Sequence, residues 1–216
     1  APIYSNPSFS SELINQALYW EELIVEDLKD NWFKIKQRDG YIGWVHSFYV
    51  DNSKIYNDNE LLKKPDNWYF VKDRFSVISL NEDTKLFLSF GSLIPCLNEK
   101  NEFLSILPNG KKYKINKNSI VRTTKDITID DVINYAKSLL GTSYLWGGRS
   151  SFGFDCSGLI QSLLSFMKIH FPRDSKDQIK YKDMIKIKAS FIKGDIIFFS
   201  ENSIIKHVGI FINQHE

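Results

Sequence analysis

The stretch Tyr144–Leu164, YLWGGRSSFGFDCSGLIQSLL, decides how the C-terminal part of the chain is read. It holds Cys156, one of only two cysteines in 216 residues. Cys156 stands between an acid, Asp155, and the pair Ser157-Gly158, just ahead of an apolar run. Leu159, Ile160, Leu163, Leu164 and Met167 recur at helical spacing, which predicts a helix opening at about Cys156. A thiol at that position meets unpaired backbone N–H groups and the positive end of the helix dipole, and both favour thiolate. The N–H groups around it could serve as an oxyanion hole, with Gly158 letting the backbone approach a bound carbonyl. Position alone favours the plainer reading, a buried small hydrophobe that opens a core helix.

The surrounding pattern is helices followed by strands. DITIDDVINYAKSLLG places Ile129, Val132, Ile133, Ala136, Leu139 and Leu140 on one stripe, with Gly141 as the stop. After the Cys156 helix come a loop containing FPRDS, the strand GDIIFFS (Gly194–Ser200) and the strand KHVGIFIN (Lys206–Asn213). This order predicts an α+β domain over 124–216.

The first ~120 residues read as short strands instead. NWFKIKQRDGYIGWV (Asn31–Val45) alternates, breaks at Asp39-Gly40 and resumes, a hairpin signal. EFLSILPNGKKYKI (Glu102–Ile115) repeats that pattern around Asn109-Gly110, 70 residues on. The strands ahead of each hairpin also match, so the segment reads as a diverged tandem repeat of a small β-barrel. The expected boundaries are 1–55 for the first module, 56–67 for a polar, Pro-containing linker and 68–123 for the second module.

Composition narrows the function classes. Hydrophobic content of 43% supports folded cores, and a formal net charge of +2 gives no global field for nucleic acid or an anionic membrane. No run approaches the roughly 18–20 apolar residues of a membrane span, and APIYSNPSFS carries no signal-peptide pattern. The separation of Cys96 and Cys156, without any CxxC, argues for free thiols and against a zinc site. A reducing, cytoplasmic setting is expected, with a processed periplasmic or secreted form as the alternative.

A cysteine nucleophile needs a base. Of the four histidines, His46 follows the first hairpin, His170 lies about 20 Å along the Cys156 helix and His215 is close to the last residue. His207, at the start of an apolar strand, could face a helix N-terminus across the domain; taken alone it could equally be a solvated strand-edge residue.

The ordered segments GTSYLWGGRSSFGFDCSGLIQ, FPRDSKDQ, KGDIIFFS and KHVGIFI resemble the NlpC/P60 cysteine peptidases, and the leading half resembles two bacterial SH3 (SH3b) modules. The layout is similar to the γ-D-glutamyl-L-diamino acid endopeptidases that trim murein stem peptides. The resemblance implies a papain-like α+β catalytic domain behind two small SH3-like barrels. It implies Cys156 as nucleophile, His207 as general base and Tyr144 as the group near the thiol that holds the oxyanion or positions substrate. Trp146 would wall the pocket, and Asp155 and Ser157 would shape it. Asp174 and Ser175 resemble the pair that holds a free L-Ala ammonium, with Arg173 bracing their loop. Glu21 resembles an acid that reaches the same ammonium, although Trp20 stands where many relatives have Gly. No metal or cofactor is implied.

The family also has a third polar residue, usually His, about a dozen positions after the base. The sequence stops at Glu216, nine positions past His207, so that residue is expected beyond Glu216 and the domain reads as truncated. The implied function is hydrolysis of the γ-D-Glu–diamino acid bond in murein peptides with a free N-terminal L-Ala. The alternatives are a murein-peptide-binding module with an inert catalytic half, and a papain-like amidase acting on another amide.

Overall fold

The computed structural model describes residues 1–51, 67–100, 102–187 and 190–215. The expected linker at 56–67 lies outside the described residues except for Asn67. The first segment forms one antiparallel sheet of β1 (Pro2–Tyr4), β2 (Leu13–Gln16), β3 (Ile24–Lys29), β4 (Trp32–Lys36) and β5 (Ile42–His46), in the order β2-β1-β5-β4-β3. The next contains β6 (Trp68–Val71), β7 (Phe75–Ser79), β8 (Lys85–Ser89), β9 (Leu93–Glu99), β10 (Glu102–Ile106), β11 (Lys112–Lys114) and β12 (Ile120–Arg122). Here the sheet order is β11-β10-β9-β6-β12, and β7 pairs with β8 as a separate ribbon.

The 70-residue repeat is visible strand by strand. In β3–β4–β5, Asp27 faces Lys34, Leu28 faces Phe33 and Lys34 faces Trp44. In β9–β10–β11, Leu97 faces Leu104, Asn98 faces Phe103 and Leu104 faces Lys114. The turns agree as well. Gln37 N–H donates to Tyr41 O at 2.9 Å and Leu107 N–H to Lys111 O at 2.8 Å. Asp39 Oδ1 accepts from Tyr41 N–H, and Asn109 Oδ1 from Lys111 N–H, both at 3.0 Å. Each is a three-residue loop whose last member, Gly40 or Gly110, is left-handed, at φ 86° or 78°. A side chain then caps a short 3₁₀ turn in each copy: His46 ahead of Ser47–Tyr49 and Asn116 ahead of Lys117–Ser119. What repeats is this three-stranded meander; the outer pairings differ, with β1 joining β5 in one copy and β6 bridging β9 and β12 in the other.

The C-terminal part contains α1 (Ile129–Ser138), a ribbon of β13 (Arg149–Ser150) and β14 (Gly153–Phe154), α2 (Cys156–Ser165), the short α3 (Ser175–Gln178) and the hairpin β15 (Ile196–Glu201)–β16 (Ile204–Ile210). Helix α1 starts at a capping box between Thr128 and Asp131 and ends by Leu139, so Leu140 falls outside the expected stripe and is exposed. β16 packs on α2 and α3.

The cores show how the parts are joined. The second sheet shares an apolar cluster with the helices: Phe90 and Val121 pack with Val132, Leu139, Leu163 and Phe166, and Phe90 stacks on Phe166 at 4.8 Å. The first sheet keeps its own small core of Ile3, Ala17, Ile35 and Val45. Its apolar links to the second sheet include Tyr19 and Trp20, which pack on the second core; Trp20 also donates its indole N–H to Ile106 O at 2.8 Å and meets Trp68 edge-on. Trp20 has φ 66°, a left-handed conformation unfavourable for any residue with a Cβ. The tie to the second sheet holds it there. Trp20→Ala is expected to destabilise the fold by about 2–3 kcal/mol through lost packing. Trp20→Gly should cost about 1 kcal/mol less, because glycine removes the φ strain. Urea denaturation of both variants tests the order, which is opposite to that at an ordinary position.

Candidate active site

Asp155 is the residue from which the site is built. It is the N-cap of α2, and its Oδ1 accepts from Gly158 N–H at 2.7 Å. This leaves Cys156 as the first helical residue, partly exposed and reduced. The loop before it is laced to the same spot. Leu145 N–H donates to Phe154 O at 3.0 Å, Gly148 N–H to Leu145 O at 2.8 Å, and Asp155 N–H to Gly148 O at 3.0 Å. Gly147 N–H donates to Asp155 Oδ2 at 2.9 Å. A Cβ on Gly158 would collide with Gly148 O, so the close approach that demands glycine is to the chain's own carbonyl.

Arg173 closes this frame. Its Nη1 donates to Asp155 Oδ1 at 3.0 Å and Ser157 Oγ at 2.9 Å, and its Nη2 donates to Asp155 Oδ2 at 2.6 Å. Its Nε donates to Asn15 Oδ1 at 2.7 Å, across to the first sheet. Arg173 is 3% exposed and Asp155 8%. The side chains of Asp155 and Ser157 thus lie in the frame beneath the thiol, where both are fully engaged within the protein. Gln178 Nε2 donates to Ser157 O at 3.0 Å, which fixes α3 against the start of α2.

Above the frame, Asp174 keeps a partly exposed carboxylate at the N-cap of α3, followed by the half-buried Ser175. Asp174 Oδ1 accepts from Tyr41 O–H at 3.2 Å, and Lys176 Nζ lies 3.4 Å from Oδ2. Burial and then the Asp174 charge raise the Tyr41 phenol above its ordinary value, so it remains a donor. Tyr144 and Trp146 are both largely exposed at the rim. What burial Tyr144 has, then the nearby Cys156 and Asp155, raises its phenol too, keeping it a hydrogen-bond donor next to the thiol. Trp146 Nε1 donates to Glu12 Oε1 at 2.7 Å.

Other expected site residues lie apart from this group. Glu21 pairs with Arg149 and accepts from Gln37 Nε2 at 2.7 Å, so its carboxylate is committed to the seam between the first sheet and β13. His207 is an exposed residue of β16, facing Phe199 with ring centroids 5.8 Å apart. Its neighbour Val208 is buried in the cluster against which Cys156 packs. His215 lies in a turn, its N–H bonded to Asn213 Oδ1 at 2.8 Å. His46 is held by its cap and by Trp32 at 5.1 Å.

The sequence reading brought the first module to the site only through Glu21 and missed the residues by which the first sheet meets it. Glu12, Asn15 and Tyr41 meet Trp146, Arg173 and Asp174. The aromatic directly after the Asp39-Gly40 turn was the one local signal. Gly147, at φ 73°, marks the closest approach: a Cβ there would strike the Leu13 carbonyl of β2. Arg173→Met should leave Asp155 buried and uncompensated, costing about 3–5 kcal/mol. Adding Asp155→Asn should recover part of that loss, and thermal unfolding of the single and double variants measures both.

Comparison with known proteins agrees with this architecture. Residues 141–216 match the NlpC/P60 family and residues 1–51 match the bacterial SH3 domain. The chain is 31% identical to a γ-D-glutamyl-L-lysine dipeptidyl-peptidase of Bacillus cereus over 95% of its own length and 66% of the relative's. It is 26% identical to the Bacillus subtilis protein of the same name, over 91% and 68%. The chain therefore spans about two thirds of these relatives. A crystal structure of an NlpC/P60 family protein from Bacillus cereus superposes with a TM-score of 0.80 at 29% identity, covering 94% of this chain and 71% of that one. The chain belongs to the NlpC/P60 family of cysteine peptidases and carries a bacterial SH3 domain at its N-terminal side.

Proposed function

We propose that this protein is a cysteine peptidase that hydrolyses the γ-D-Glu–diamino acid bond of murein peptides carrying a free N-terminal L-Ala. The observation that carries this reading is Asp174. It is a partly exposed carboxylate one residue beyond the arginine bonded to Ser157, and Ser157 directly follows the thiol at the N-terminus of α2. A carboxylate there suits an ammonium a short distance from the scissile amide. The names of the two Bacillus relatives support the bond type.

In the proposed reaction, Cys156 Sγ attacks the γ-carbonyl and His207, which must turn from the exposed side of β16 toward the thiol to do so, takes the thiol proton. The oxyanion is held by backbone N–H groups at the start of α2, with the Tyr144 phenol as a further donor. His207 then protonates the leaving amine, and water hydrolyses the thioester. Asp174, with Tyr41 and Ser175, holds the L-Ala ammonium, and Trp146 flanks the peptide. The matching meanders support reading 68–123 as a second, diverged SH3b module behind the first at 1–55. Two free thiols suit a reducing compartment, and we place the activity in cytoplasmic peptide recycling.

Incubating the protein with L-Ala-γ-D-Glu-L-Lys and the diaminopimelate analogue should release L-Ala-γ-D-Glu, followed by chromatography. Cys156→Ala and thiol alkylation should abolish release, whereas a chelator should leave it unchanged; chelator sensitivity would overturn the mechanism. Peptide binding without turnover would instead favour a binding module.

Acetylating the substrate's amine should lower kcat/KM about 100-fold, because the bound peptide would desolvate Asp174 without bringing it a cation. Asp174→Asn should narrow that gap. Equal turnover of both peptides would point to a different amide.

A further inference from the structure

We propose that a second cleft, at the junction of both sheets with the back of α2, binds an N-acylated amino sugar. The cleft has a volume of about 930 Å³, within the range of small-molecule sites. Among its described lining residues are none of Cys156, Tyr144, Trp146 and His207, so it is separate from the candidate active site.

Two adjacent residues of α2 carry the argument. Gln161 and Ser162 line the cleft and are only 6% and 4% exposed. The Gln161 amide is fixed in orientation, since Nε2 donates to Asp39 Oδ2 at 2.8 Å and to Phe171 O at 3.0 Å. Its buried Oε1 finds no partner among the described residues, and neither does the buried Ser162 Oγ. Buried polar atoms are nearly always paired, and unpaired ones are costly. One is an acceptor and the other a hydroxyl able to donate. A secondary amide satisfies both, with its N–H toward Gln161 Oε1 and its carbonyl toward the Ser162 hydroxyl.

The walls select among secondary amides. Trp20 and Trp68 line the cleft and meet at 85° with centroids 5.9 Å apart, offering apolar surface in two orientations. Such rings cover the C–H face of a pyranose. The mouth carries charges of both signs, Arg38 and Lys168 against Glu22 and Asp39, which does not select an anion or a cation. Sugar hydroxyls donate and accept, and so serve both signs. An acetamido sugar combines these demands, and the inference is independent of the peptidase reading.

Calorimetric titration with N,N′-diacetylchitobiose and with cellobiose tests it on the intact wild-type protein. The acetylated disaccharide should bind, and cellobiose, which lacks the amide, should bind at least about 10-fold more weakly. Ser162→Ala should weaken diacetylchitobiose about 5-fold. Circular dichroism checks the variant's fold, and Ser162→Cys, of similar size, replaces it should it misfold. Equal affinity for the two disaccharides, no binding of diacetylchitobiose, or an unchanged affinity in the folded Ser162 variant would overturn the proposal. Tighter binding of an N-acetyl dipeptide amide at the same cleft would overturn it in favour of a peptide.

Discussion

The Arg173–Asp155 ion pair is buried, and the Arg173 guanidinium bonds to three separate parts of the chain. Beside the two bonds to Asp155, it reaches Ser157, Asn15 of β2 and, at 3.4 Å, the Gly148 carbonyl. Burying a guanidinium and a carboxylate is costly unless geometry and further hydrogen bonds offset the desolvation. Here Asp155 has its charge partner and backbone donors from Gly147 and Gly158. One pair therefore fixes the loop before the thiol, the first turn of α2, the loop leading to Asp174 and the edge of the first sheet. The position of Cys156 depends on all four.

The two β units are attached by different physics. The second shares an apolar core with α1 and α2, a large and non-directional contact. The first is held to the C-terminal part mainly through named polar pairs: Glu12 with Trp146, Gln16 and Glu21 with Arg149, Asn15 with Arg173, and Tyr41 with Asp174. Hydrogen bonds contribute little net energy each but are strict about geometry. A polar seam thus specifies where the wall stands, while the apolar contact supplies most of the adhesion. Trp20, held in a left-handed conformation by its contacts with the second sheet, couples the two systems.

The legible parts were those governed by local chemistry. Both hairpins, the α1 stripe, the helix opening at Cys156 and the β15–β16 strands follow from periodicity and turn residues, and they stand close to where the sequence puts them, except that Leu140 lies past the end of α1 and the last strand runs over Ile204–Ile210 rather than 206–213. The frame role of Arg173 was legible in outline. Less legible were features that depend on distant partners. Glu21 resembled a ligand for an ammonium, yet nothing local to YWEEL reveals that Arg149, 128 residues later, takes its carboxylate. The side chains of Asp155 and Ser157 flank the nucleophile in sequence but turn beneath it, because an N-cap side chain folds back onto its own helix. Tyr41 looked like a hairpin residue and nothing more.

That failure has a general cause. A site shared between two folding units is written in two patterns that share no period. Read locally, each half is a surface of its own unit: Tyr41 is the end of a hairpin loop, and Asp174 stands out only through the family resemblance. Their meeting is fixed by the approach of β2 to the Gly147 loop, where the backbone passes too close for any side chain. Substrate selection at Asp174 is then a property of the seam and not of either unit. A displacement of the first sheet would move Tyr41 off Asp174 and, through Asn15, would disturb the arginine that frames the thiol. Recognition and the geometry of Cys156 are coupled because they draw on the same polar contacts.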